Sequence, residues 1–292
     1  MKTKGYQISW WLIFLEFILI LTISLVSAHI LKWTSISKNT LEILSSLLTL
    51  LPIIIGTIIL KASYPHEKIK DSLGFSGFDI TMLLFFIIMP LSAQYFASII
   101  TMPATFILSQ FFGEYVPAVS APENICDFFK ILVTACIIAP VLEELLFRGI
   151  LMKLLSPYGF LTSAIVSSLG FSMLHLSPSG FFVILFLGFI LATIRYISGS
   201  VIACMVFHAF SNFFSVMALV FEEPVLALEN ELIIFSIALG LCFPILFLLY
   251  KKIYPKAQTY VVTAKKQGFS IAFLMCIMIF TAYCVLLSIN KI

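Results

Sequence analysis

Charge is what this sequence lacks most. Only 11% of its 292 residues are charged, against about 25% in soluble domains, while 61% are hydrophobic and the mean hydropathy is +1.13. That balance excludes an ordinary soluble domain. The net charge of +3 is too small, and the basic residues too scattered among loops, to suggest a nucleic-acid partner. The six cysteines all fall in apolar runs and never form C-x-x-C, so they read as small packing residues, neither disulfides nor metal ligands. Histidine is scarce too, with four in the chain, and none stands in an H-E-x-x-H pattern. No repeat and no low-complexity segment is visible.

What is present is a series of apolar runs, most of them long enough to cross a bilayer as helices of about 17–25 residues. Nine can be drawn: 9–31, 41–60, 80–100, 126–146, 160–175, 181–196, 201–221, 232–250 and 269–289. The expectation is an all-α polytopic transmembrane bundle with eight or nine spans. The runs 160–175 and 181–196 are short and suggest a tilted hairpin buried among longer helices. Lys2 and Lys4 precede the first run, which ends in Val26, Ser27 and Ala28 like a secretion signal. That run exceeds the 7–15 apolar residues of a signal, so we expect it to be retained as a span. Three segments follow: N-terminal helices over 1–125, a core over 126–221, and C-terminal helices over 222–292.

The basic residues suggest an orientation. With the N-terminus cytoplasmic, the inside segments hold Lys2, Lys4, Lys61, Lys68, Lys70, Arg148, Lys153, Arg195, Lys251, Lys252, Lys256, Lys265 and Lys266, which is 13 of 17. Lys32, Lys38 and Lys291 fall outside, and Lys130 lies in the fourth span near its outer end. The positive-inside rule therefore favours a cytoplasmic N-terminus. The segment 64–79 reads as a solvated loop, as do the outer stretches 101–125 and 222–231. Glu16, about two turns into the first span, reads as an acid facing other helices or water.

The polar residues that stand out lie in the fourth span and the helices after it. A charge at bilayer depth costs about 2.5–3.5 kcal/mol, so Glu143, Glu144 and Arg148 within one apolar run need a reason. Glu144 and Arg148 are four apart with the acid first, the favourable order for a helical pair. Glu143 is rotated by about 100° and is left for another role. His175 follows Phe171 by four residues, and His208 precedes Asn212 by four, so each pair shares a helix face. Ser156, Pro157 and Gly159 mark a turn. Glu143 lies 15 residues before Tyr158 and His175 lies 17 after it, placing both about 22–26 Å from that turn on antiparallel neighbours. His208 enters from the same side, and the depths agree if the helix around Arg148 to Leu155 projects toward the cytoplasm.

A carboxylate facing an imidazole can hold a water and take its proton. A second imidazole with an amide can donate to a developing oxyanion. Together they make a site for amide hydrolysis without a serine or cysteine nucleophile. The same residues could hold zinc, with Glu143, His175 and His208 as ligands, and spacing does not separate the two readings. A single intramembrane histidine or Glu–Arg pair is commonly a packing device. Three polar clusters in successive helices favour chemistry. A proton-relay transporter is a further class, but no inverted repeat supports it.

At these residues the sequence resembles the CPBP intramembrane proteases, which group CAAX prenyl-protein endopeptidases with bacteriocin-processing and immunity proteins of the Abi family. The shared pattern stands here as Glu143-Glu144-x-x-x-Arg148, Phe171-x-x-x-His175 and His208-x-x-x-Asn212, over about 126–221. The resemblance implies an intramembrane endopeptidase. Glu143 and His175 would activate water, His208 and Asn212 would stabilise the oxyanion, and Glu144 and Arg148 would support the site. It implies no cofactor in a metal-free version of the mechanism and zinc in the other. The expected substrate is a hydrophobic peptide or the C-terminal tail of a membrane-associated protein, cut in a bacterial plasma membrane. The reading from another class is a non-catalytic bacteriocin self-immunity or membrane scaffold protein.

Overall fold

Inside a bilayer every backbone N–H and C=O has to be satisfied within its own segment, so long apolar runs become helices. The computed structural model describes residues 4–33, 38–77, 82–113, 122, 124–220, 237, 240–249 and 270–289, with side chains unspecified over 24–49 and 287–289. Among them there are helices and no strand. They are α1 (Gly5–Trp33), α2 (Lys38–Ser63), the short α3 (Ile69–Leu73), α4 (Met82–Phe112), α5 (Ile125–Tyr158), α6 (Phe160–Leu174), α7 (Phe181–Ser198), α8 (Val201–Val220), α9 (Gly240–Leu249) and α10 (Ile271–Ile289). Five stretches are long and apolar enough to cross a membrane as described: Gly5–Ile23, α4, α5, α7 and α8. Four shorter apolar stretches accompany them: Leu50–Ser63, α6, α9 and Ile271–Leu286. The chain is a polytopic, all-helical membrane protein. Large apolar side chains such as Ile58, Leu84, Phe106, Phe129, Leu248 and Met278 point outward, as a lipid-facing surface requires.

Several expectations shift. The third span does not stop near residue 100. It runs to Phe112, through Pro90 and Pro103, into a stretch that reads from sequence as outer loop, because that stretch is itself apolar. The fourth does not stop at Leu146 and extends to Tyr158, with Arg148 paired to Glu144 inside the protein. Its end from Leu146 to Leu155 is largely buried against α1, α2 and α3, so it is enclosed by the bundle. The loop 64–79 contains α3, closed by Gly74 at φ +79°. At Gly74 a Cβ would collide with the buried guanidinium of Arg195. Cys126 and Cys242 are exposed, not packed, and the six cysteines are free. The expected acidic stretch 222–231, the lysines at 251–266 and the start of the eighth span lie outside the described residues.

Helices α6 and α7 form a closely packed hairpin. Phe160 stacks near Tyr196 with ring centroids 4.4 Å apart, and Ser172 Oγ donates to the Phe181 carbonyl, fixing an antiparallel register. Small residues line the seam: Ala164, Ser168, Gly188 and Ala192. Such residues let membrane helices approach closely. A Cβ on Gly188 would stand 3.2 Å from Ser168 Cβ and 3.3 Å from its Cα. Gly188→Ala is therefore expected to push the hairpin apart by a few tenths of an ångström and destabilise by about 1–3 kcal/mol, read as a lower thermal midpoint in detergent.

Two apolar clusters flank this hairpin. One joins Trp10, Ile13 and Phe17 of α1 with Leu60 of α2, Phe147 and Ile150 of α5, Phe171 of α6 and Cys276 of α10. The other joins Phe86 and Met89 of α4 with Leu191 and Ile194 of α7, Phe207 of α8 and Phe243 of α9. The polar side chains of α5 and α8 lie where the two clusters meet.

Candidate active site

Helix α5 positions the site through two departures from α-helical winding. Asn124 caps its start by accepting from the Asp127 N–H at 3.0 Å. The turn Thr134–Ile138 is then π-helical, and so is Leu145–Leu151. Wide turns of this kind redirect side chains and release backbone groups, and they recur at functional sites. In the first, the Ala139 N–H bonds to the Thr134 carbonyl, five residues back. The Ala135 carbonyl thereby loses its usual donor, and the residue five ahead is Pro140, which has no N–H. Asn212 of α8 takes that place, its Nδ2 donating to the Ala135 carbonyl at 2.7 Å.

In the second wide turn the Met152 N–H reaches the Phe147 carbonyl. Arg195 Nε of α7 donates to the neighbouring Arg148 carbonyl at 3.1 Å. Arg148 is itself fully buried. Its Nη1 donates to Glu144 Oε1 at 2.9 Å and its Nη2 to the Gly188 carbonyl at 3.0 Å. Its guanidinium carbon stands 4.6 Å from the centre of the Phe171 ring, a cation–π contact in a water-poor setting.

Glu144 and His208 join α5 to α8. Glu144 Oε1 lies 2.9 Å from His208 Nδ1, and a carboxylate can only accept, so Nδ1 carries the proton. That leaves Nε2 as the nitrogen facing Glu143, whose Oε2 is 3.9 Å away. The gap is too long for a hydrogen bond and small enough for one water to touch both. Glu143 Oε2 is buried with no hydrogen-bond partner among the described residues. Adjacent in sequence, the two glutamates have opposite circumstances: one is held by an arginine and a histidine, the other is available.

His175 closes the end of α6, and its Nδ1 lies 2.8 Å from the Phe171 carbonyl. A carbonyl also only accepts, so His175 carries its proton on Nδ1 and presents Nε2 as an acceptor when neutral. Leu176, the next residue, sits at φ +49°, a left-handed conformation that costs a bulky side chain about 1–3 kcal/mol. That sharp turn ends α6 directly after the imidazole.

Two cavities, of about 430 and 400 Å³, share the residues Thr134, Ala139, Glu143, Phe171 and His175. The first opens between α1, α2, α5 and α6. The second lies between α4, α5, α7 and α8 and is also lined by His208 and Asn212. Glu143 and His175 therefore stand on the wall common to both. All six residues singled out from the sequence lie in one neighbourhood, but only four face cavity. Glu144 and Arg148 lie behind it. Sequence reasoning missed Arg195 and Gln94. Arg195 has a signal, being a basic residue within an apolar helix. Gln94 Nε2 donates to the Ser211 carbonyl at 2.7 Å on the second cavity's wall, and nothing in its local pattern marks it.

Among the described residues no three His, Cys, Asp or Glu side chains converge as a metal-ligand group. No curated protein and no solved structure matches the chain. One family model does match, described as type II CAAX prenyl endopeptidase Rce1-like, over residues 126–214, the stretch that carries every motif above. The helical core bearing this site is thus similar to the CAAX-type intramembrane proteases.

Proposed function

We propose that the protein hydrolyses a peptide bond of a hydrophobic or membrane-associated peptide with a water activated by Glu143 and His175. The observation that carries the reading is the unpartnered Glu143 carboxylate oxygen on the wall common to both cavities. Glu143 takes a proton from the water while the water oxygen attacks the carbonyl carbon. The oxyanion is met by His208 Nε2 and by the Asn212 N–H that does not serve Ala135. For Nε2 to donate, His208 carries both ring protons, and Glu143, Glu144, Arg148 and His208 then sum to zero charge. As the C–N bond breaks, the proton held by Glu143 passes to the leaving amine. Glu144 and Arg148 orient His208 and do not touch the substrate.

Two largely apolar cavities opening among membrane helices support a substrate of this class, and the site in the cell would be a bacterial plasma membrane. The test is cleavage of a panel of hydrophobic peptides by the purified protein in ¹⁸O-labelled water, with and without a zinc chelator. We expect one labelled oxygen in each new carboxylate and a rate indifferent to chelator. Loss on chelation with recovery on adding zinc would move Glu143, His175 and His208 into a metal shell. An acyl-enzyme trapped by hydroxylamine would overturn the activated water.

A further inference from the structure

The first cavity contains a carboxylate that the mechanism does not use. Glu16 of α1 is 7% exposed, and its Oε2 is buried without a hydrogen-bond partner among the described residues. It lines the same cavity as Glu143 and His175. The other walls are mainly apolar, with Ile20, Ile53, Ile138 and Leu142 among them, and no lysine or arginine lines the cavity. An unpaired buried carboxylate is costly, and a membrane-embedded one more so, which makes it a strong acceptor in wait of a donor. A space with mainly apolar walls and an acid is complementary to a basic side chain. Lysine and arginine lay their methylene stems along apolar surface and place the charge beyond it. A volume of about 430 Å³ leaves room for such a side chain and the adjoining backbone.

We propose that Glu16 is the specificity determinant of this cavity, accepting a lysine or arginine of the substrate peptide close to the bond presented to Glu143. This rests on the hydrolytic reading above for its cleavage arm and stands apart from it in its binding arm. Charge-assisted pairing in a desolvated pocket corresponds to discrimination of about 10- to 100-fold.

The experiment scans Lys, Arg, norleucine and Glu through the positions flanking the cleaved bond of one hydrophobic peptide. The ratio of kcat/KM for the basic over the norleucine peptide is compared among wild type, Glu16→Gln and Glu16→Lys. At one position the wild-type ratio is expected near 10–100, falling to about 3 or less in Glu16→Gln and shifting toward the Glu peptide in Glu16→Lys. The binding arm measures the anisotropy of labelled Lys and norleucine peptides on Glu143→Gln with and without Glu16→Gln. A preference for Lys that disappears with Glu16→Gln supports the pocket even if nothing is ever cut, in which case the hydrolytic reading alone fails. Cleavage without a basic preference at any position overturns the pocket and leaves hydrolysis standing. A Glu16→Gln variant that slows all peptides equally, with the ratio unchanged, also overturns it, and would assign Glu16 to a proton shared with Glu143.

Discussion

Glu143→Gln is expected to lower kcat for peptide cleavage by about 10²–10⁴-fold while leaving the thermal midpoint and KM nearly unchanged. Glutamine keeps the shape and removes the base. Stability should change little because Glu143 Oε2 accepts no hydrogen bond from the described residues and stands 3.9 Å from His208 Nε2, too far for a direct bond. KM should hold because the residue acts on the water and not on the peptide. Glu144→Gln should behave differently. Its Oε1 serves both Arg148 and His208, so that substitution is expected to lower stability and kcat together. The pair of variants, followed by peptide cleavage and thermal unfolding in one detergent, separates the free carboxylate from the structural one. A cellular phenotype and peptide binding that survive Glu143→Gln, with no cleavage by the wild type, would replace the protease with a binding or immunity protein.

Those opposite circumstances of Glu143 and Glu144 are legible from spacing alone, because helical periodicity puts Glu144 and not Glu143 over Arg148. The wide turn that follows Glu144 does not spoil this. At about 4.4 residues per turn, residues four apart still share a face. The helices themselves are legible from hydropathy, and the level placement of Glu143 and His175 from counting residues to the turn at Ser156. Long-range partnerships are not. His208 finds Glu144 across 64 residues, and Arg195 finds the Arg148 carbonyl across 47, through packing that no local pattern encodes. The wide turns are also hidden, though Pro140 marks where the first lies once the structure is known. Glu16 reads from sequence as an acid facing helices or water, and the residue that gives it a context, Glu143, is 127 positions away. A single acid in an apolar helix has no meaning until its cavity is known.

Arg148→Met should be strongly destabilising. Met has similar length and suits an apolar interior, so the cost is not a cavity. It is the charge left behind. Glu144 is fully buried and would keep only His208 as a partner, while the Gly188 carbonyl would lose its side-chain donor. Removing one member of a buried pair costs about 3–5 kcal/mol, whereas replacing both with neutral groups is often close to neutral. The double variant Arg148→Met with Glu144→Gln is therefore expected to recover most of the lost thermal stability. It should not recover turnover. Glu144→Gln removes the charged acceptor that holds His208 Nδ1 at 2.9 Å, so Nε2 would be less firmly aimed at an oxyanion. Thermal unfolding and peptide cleavage on the two single variants and the double complete a mutant cycle. Recovery of both stability and kcat in the double variant would show that the buried pair only packs the bundle, and the link from Arg148 through Glu144 to His208 would have to be abandoned.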